Sequence, residues 1–242
     1  MTDKNGDCLD EKKKKKPEIE HYEDGTASIL RKRTDFTKLR FYHRCDVLYQ
    51  LTQLFCQRHF KKYGDRTVDQ MVQAARSTKQ NLVEGSVDGQ TSMESEIKLL
   101  GVARGSNEEL LQDYMDYIKA HDIPEWFDKH PRFKKLHEFC SKHHKYEDYK
   151  DLLPKMNDEE LANMAICLCH QVDSAFNKYI KRKDREFTTE GGIRERMTAA
   201  RLEQRATQKE TIEQQAQEIE SLKNEIADLK AQLDGRDRQD GQ

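Results

Sequence analysis

The sequence predicts an all-α protein whose last helix continues into a C-terminal coiled-coil extension. Prolines stand only at positions 17, 124, 131 and 154, so 18–123 and 155–242 lack the residue that most strongly breaks a helix. In both stretches apolar residues return at three- and four-residue steps, the period of one helix face. Near the C-terminus the step becomes a heptad.

Composition sets the limits of the core. The chain has 242 residues, 36% charged and 35% hydrophobic, with a mean hydropathy of -1.05. Globular domains usually hold about 45–50% apolar residues, so this chain predicts one compact domain with extended, charged ends. The first 34 residues hold the run Lys12 to Lys16 between acidic neighbours and little that can be buried. A disordered charged tail is expected there.

From Phe41 the positions Phe41, Cys45, Leu48, Leu51 and Phe55 mark a first helix reaching about Lys62, where Gly64 and Asp65 stop it. Thr67 with Gln70 reads as a capping box for a second helix, whose buried side is Val68, Met71, Val72, Ala75, Leu82 and Val83 and whose end is Gly85. Thr91 with Glu94 caps a third, with Ile97, Leu100, Leu111, Met115 and Ile118 facing inward, closed by His121 to Pro124. The stretch from Pro124 to Pro154 is richer in aromatic and basic residues and predicts one or two small helices or an ordered connection. Asn157 with Glu160 caps a fourth long helix, which buries Leu161, Ala165, Leu168, Val172, Phe176 and Tyr179. Gly191 and Gly192 then break the chain before a final helical stretch.

That stretch carries the heptad seam. Ile212, Ile219, Ile226 and Leu233 fall at position a, with Gln215, Leu222 and Leu229 at d. Glu218 and Glu225 at g precede Lys223 and Lys230 at e. In a parallel coiled coil each of these glutamates meets the following lysine of the partner chain. The alternative is an amphipathic helix that folds back on its own chain.

With 43 Lys and Arg against 45 Asp and Glu, the net charge of -2 gives no footprint of a general nucleic-acid binder. No apolar run has the length of a membrane span, no apolar stretch follows the charges of the first residues, and the six cysteines contain no CxxC pair. A reduced, cytoplasmic setting is expected. Cys167, Cys169 and His170 point too far apart around a helix to share a metal. His137, Cys140 and His144 share a face but lack a fourth ligand, so neither a metal nor any other cofactor is expected. Phosphate-cradling glycine loops, HExxH and GxSxG are all missing, and the expectation is that the protein is not an enzyme.

Two polar features stand out. On the second helix Asp69, Gln73, Arg76, Gln80 and Glu84 form one stripe, built from amides where a solvated face would use Lys and Glu, which favours an interface. On the third, Arg104 and Glu108 fall in line with Ile97, Leu100, Leu111 and Met115, either as an ordinary i,i+4 pair or as charges paired with another helix or subunit. Gly101 and Gly105 beside them would let a helix approach closely.

The segments DRTVDQMVQAARSTKQNLVEGS and TSMESEIKLLGVARGSNEELLQDYMDY, within 65–117, resemble a bacterial four-helix-bundle family. That family includes proteins encoded in large-subunit rRNA intervening sequences and the accessory protein of diversity-generating retroelements. Glu190 to Gly192 followed by RERMTAARLEQR resembles its subgroup with a C-terminal suffix. The resemblance covers about 38–203. It implies an up-down four-helix bundle over 35–186, with an irregular connection at 122–156, that assembles as a homopentamer without catalysis. A linker at 187–203, a coiled coil at 204–234 and a disordered end at 235–242 complete the expected division.

In the retroelement branch a basic pentamer binds nucleic acid and associates with a reverse transcriptase. Carried over by position, Arg76, Lys79 and Arg104 match the basic places of the motif, and Gln73, Gln80, Asn81 and Glu84 the polar ones. With Glu108 these residues form the candidate nucleic-acid or subunit interface. The near-neutral pI of about 6.5 departs from the basic branch. The expectation is a homo-oligomer that binds RNA or DNA or assists an RNA-associated enzyme. The alternative is a protein-interaction scaffold that oligomerises without nucleic acid.

Overall fold

The computed structural model describes residues 19–60 and 66–237, with side chains up to residue 230. The lysine run at 12–16, the Gly64–Asp65 stop, the Leu233 side chain and 238–242 lie outside the described residues. Within them the protein is all-α apart from one short hairpin. The helices are α1 (Arg40–His59), α2 (Arg66–Asp88), α3 (Met93–Ala120), α4 (Phe133–Lys142), α5 (Asp158–Glu190) and α6 (Ile193–Asp237). No described helix is long and apolar enough to cross a membrane.

Two units are distinct. The first runs from Leu30 to Ile193. In it α1 packs on α2 and α5, and α3 packs on α2 and α5, so four long helices share one core. At one end Val47, Leu51 and Phe55 meet Met71, Leu110, Tyr114, Leu161 and Leu168. At the other, Phe41 and Leu82 meet Leu100, Val172 and Phe176.

The helix ends follow their sequence. Asn157 caps α5 by accepting from the Glu160 N–H at 2.8 Å, and Glu160 returns the bond to the Asn157 N–H at 3.1 Å, the capping box that the spacing predicts. For α3 the cap is Ser92 in place of Thr91, since the Ser92 hydroxyl accepts from the Ser95 N–H at 3.1 Å. Helix α2 runs to Asp88, three residues beyond the expected stop at Gly85. Gly85 is buried against the α3 backbone, so its small size serves packing where an end was expected.

Helix α5 departs from a one-sided pattern. Every residue from Leu161 to Cys169 is buried. The second side is covered by α4 and the connection, through Trp126, Leu136 and Cys140. The connection is thus ordered, and Asn163 ties it down. Its Oδ1 accepts from the Trp126 N–H at 2.6 Å, and its Nδ2 donates to the carbonyls of Pro124 at 3.0 Å and Glu159 at 2.9 Å. Asn163→Ala strands two backbone groups of the connection and should cost about 2–3 kcal/mol. Urea unfolding checks this, and hydrogen exchange should rise first around Trp126.

The second unit joins the segment up to Ile29 to the helix from Arg194 on. Strands β1 (Glu20–His21) and β2 (Ala27–Ser28) pair antiparallel, Glu20 opposite Ser28 and His21 opposite Ala27. A disordered tail was expected over this part of 1–34. The hairpin forms because Asp24 accepts from the Thr26 N–H at 2.8 Å and Gly25 takes a φ of 80°, a turn that L side chains resist. Arg196 donates through Nε to the Ile29 carbonyl at 3.1 Å, and His21 meets Glu203 at 2.9 Å. The expected linker at 187–203 is helical as well, shared between α5 and α6 with only Gly191–Gly192 between them. Helix α6 also runs through 235–237, into the expected disordered end.

Candidate interaction surfaces

The sequence-predicted polar residues of α2 do not act together. Gln73, Arg76 and Glu84 are exposed and Gln80 half-buried along one stripe. Lys79 turns the other way: its Nζ lies 2.9 Å from Asp46 Oδ1 and 4.8 Å from the centre of the Tyr49 ring, both on α1. Asn81 is spent on its own helix, donating at 2.9 Å to the Ser77 carbonyl and hydroxyl.

On α3 the expected alignment of Arg104 and Glu108 with the apolar stripe is corrected. The buried row is Leu100, Ala103, Asn107, Leu110 and Tyr114, set by Asn107, whose Nδ2 donates to the Cys169 carbonyl at 3.0 Å. That row leaves Arg104 and Glu108 one residue round, on the exposed side. Arg104 reaches across to α5, with Nε 2.6 Å from Asp173 Oδ1, while Glu108 accepts from Gln112 at 2.9 Å. Of the three basic motif positions, Lys79 and Arg104 are therefore neutralised inside the chain. Only Arg76 has no ionic partner among the described residues.

Gly101 and Gly105 face open space, and no atom lies within 4 Å of where a Cβ would stand. The close helix approach expected of them does not occur among the described residues, because both sit on the exposed side of α3 with Val102. Between α2 and α3 a groove of about 1050 Å³ is lined by Arg66, Asp69, Gln73, Ser77, Glu109 and Asp113, among others. Burial, then the neighbouring Asp116 and Glu109, push the Asp113 carboxyl up. This groove repels phosphate more than it attracts it.

A buried ion pair went unread in the sequence. Lys183 Nζ lies 3.2 Å from Glu96 Oε1 and 3.3 Å from Glu186 Oε2, and the Glu96 side chain is only 1% exposed. Tyr179 donates its hydroxyl to Glu96 at 3.4 Å. A Cβ on Gly89 would stand 2.5 Å from Glu96 Oε2, so glycine there leaves room for the carboxylate. The signal was present, since Glu96 falls between Met93 and Leu100, and Lys183 after Phe176 and Tyr179, at core-facing steps.

Helix α6 presents the clearest surface. Ile212, Ile219, Leu222, Ile226 and Leu229 are each 51–65% exposed. They follow one heptad seam, which stays exposed among the described residues.

Among the described residues no group of three His, Cys, Asp or Glu could hold a metal, and His137, Cys140 and His144 do not converge. Comparison with protein-family models, with curated proteins and with solved structures finds no match to this chain.

Proposed function

We propose that this protein is a non-enzymatic, homo-oligomeric scaffold. In this reading α1, α2, α3 and α5 form an up-down four-helix bundle, and α6 joins copies of the chain as a parallel coiled coil. The observation that carries it is the exposed apolar seam of α6, five residues at heptad spacing on one helix, each at least half exposed. Glu218 and Glu225 facing Lys223 and Lys230 of a partner fix the parallel register. Ile at a with Leu at d favours two strands, whereas the family resemblance favours five subunits through the bundle.

The substitutions Ile219→Glu and Ile226→Glu together place charge in the seam. Light scattering of the intact protein should give a multiple of 28.5 kDa, and the double variant should fall to the single-chain mass. A variant that keeps the full mass sinks the α6 assignment and moves assembly to the bundle.

A nucleic-acid role, for RNA or an RNA-bound enzyme such as a reverse transcriptase, is supported by a different place from the motif positions. Exposed Lys129, Arg132, Lys134 and Lys135 closely follow in sequence Phe127, itself 61% exposed, with Arg132 also paired to Glu160 at 3.4 Å. Cations with an exposed ring suit single-stranded RNA, whose bases stack on aromatic faces. Lys134→Glu with Lys135→Glu should weaken low-salt retardation of RNA. No retardation by the unmodified protein would remove the reading.

A further inference from the structure

Cys140 and Cys167 stood in two separate metal-like clusters of the sequence, and the fold brings one from each together. Cys140 lies on α4 and Cys167 on α5. Gln171, one turn after Cys167, reaches across with Nε2, 3.3 Å from the His137 carbonyl and 3.1 Å from Ser141 Oγ, and 3.8 Å from its own neighbour Cys167 Sγ. His137 and Ser141 flank Cys140 on the same turn of α4. One amide therefore holds the two cysteine-bearing turns against each other, and Cys140 and Cys167 are buried in the same core cluster.

The two sulfurs differ in access. A groove of about 510 Å³, lined by Trp126, Phe133, His137, Ser141 and Arg44, reaches Cys167. Cys167 is 6% exposed, and Cys140 behind it is 0% exposed. Arg44 comes from α1 and donates through Nη2 to the Ser141 carbonyl at 3.2 Å. Its Nε–H is buried with no acceptor, so the guanidinium keeps a donor in reserve.

The electrostatics select the same sulfur. The neighbouring Cys140 thiol, opposed by burial and helped by Arg44, holds the Cys167 thiol below its ordinary value. Cys140 moves the opposite way, through its contact with Cys167 and then burial. Cys45 and Cys169 show the contrast: burial pushes Cys45 up to about 12 and Cys169 well above the usual thiol range. Those are inert packing residues.

We propose that Cys167 and Cys140 form a peroxide-oxidisable dithiol, with Cys167 as the attacking sulfur in the groove and Cys140 as the resolving sulfur behind it. Cys167 as thiolate attacks one oxygen of hydrogen peroxide. The O–O bond breaks, hydroxide leaves, and Cys167 becomes a sulfenic acid. Cys140 then attacks the Cys167 sulfur, the S–O bond breaks and water leaves. In sum two thiols and one peroxide give one disulfide and two waters, with two electrons passing from sulfur to oxygen. The bond formed ties α4 to α5, and a dithiol reductant reverses it.

The test uses the reduced full-length chain titrated with hydrogen peroxide. Two of the six thiols should disappear together, and non-reducing peptide mapping should find 140 linked to 167. In Cys140→Ser, dimedone should trap a sulfenic acid at Cys167. In Cys167→Ser, the fast phase of peroxide consumption should vanish. If the unmodified protein keeps all six thiols in excess peroxide, or if oxidation joins other cysteines or only Cys8 between chains, the proposal fails. The unmodified protein decides this, whether or not the serine variants fold.

Discussion

Replacing Lys183 by methionine should lower the unfolding free energy by about 3–5 kcal/mol, because it leaves the Glu96 carboxylate buried without a cation. Methionine keeps most of the stem packing, so the loss reads the charge. Adding Glu96→Gln should recover much of it, since an amide is far cheaper to bury than an unpaired carboxylate.

The pH dependence separates this cause from a packing defect. Burial pushes Glu96 above its ordinary 4.5, against the pull of Lys183. A carboxyl raised in the fold contributes stability that is complete below its unfolded value and is lost as pH rises through its folded value. Below 4.5 Glu96 is therefore neutral in both states, and the missing cation should matter little. The deficit of Lys183→Met should open above that point and widen as pH rises, measured by urea unfolding across the series. Against its own burial, Lys183 is itself raised from 10.5 by Tyr179, Glu96 and Glu186, so in the native chain its contribution persists to 10.5 and is lost beyond. A pH-independent deficit would assign the effect to packing.

Phe55→Ala should cost about 3–5 kcal/mol, the range for a fully buried aromatic cut back to a methyl. Phe55 is wholly buried, with ring centres of Tyr117 at 4.7 Å and Tyr114 at 5.0 Å, both in edge contact. Collapse around the cavity is resisted by a polar tether: Tyr114 donates its hydroxyl to Thr52 at 2.9 Å, and Thr52 donates to the Leu48 carbonyl at 2.7 Å. Phe55→Leu, which leaves a smaller void, should cost clearly less, and thermal unfolding should rank the two in that order. Equal costs would mean that the site relaxes freely.

Legibility followed the range of the interactions. Helices α1, α2, α3 and α5 were readable because their apolar steps are local, and the Asn157–Glu160 box was readable because both partners sit within one turn. The hairpin at 20–28 was not, since strands of two residues carry no period, although Asp24–Gly25 is a turn signal. The α5 run from Leu161 to Cys169 could be recognised as apolar, but its second cover depends on where the connection packs. The candidate site was least legible. The resemblance named Lys79 and spacing set Arg104 in the apolar stripe, but neither could identify Asp46 and Asp173, which lie on other helices. The α3 register was misread by one residue because Asn107, a polar residue, occupies a core position. Glu96 and Lys183, by contrast, sit on core-facing steps, where two charges signal a buried pair.

Every side chain of α6 from residue 201 to 230 is exposed. Its internal ion pairs, such as Lys209–Glu213 and Lys223–Glu220, add only about 0.2–0.5 kcal/mol each. A helix stabilised so weakly by itself draws its stability from whatever covers its seam. If copies of the chain cover it, helix order and association become a single equilibrium, and mass action governs both. The abundance of the protein is then its own effector: dilution frays the helix, accumulation forms it, and no separate ligand is required to switch between the two.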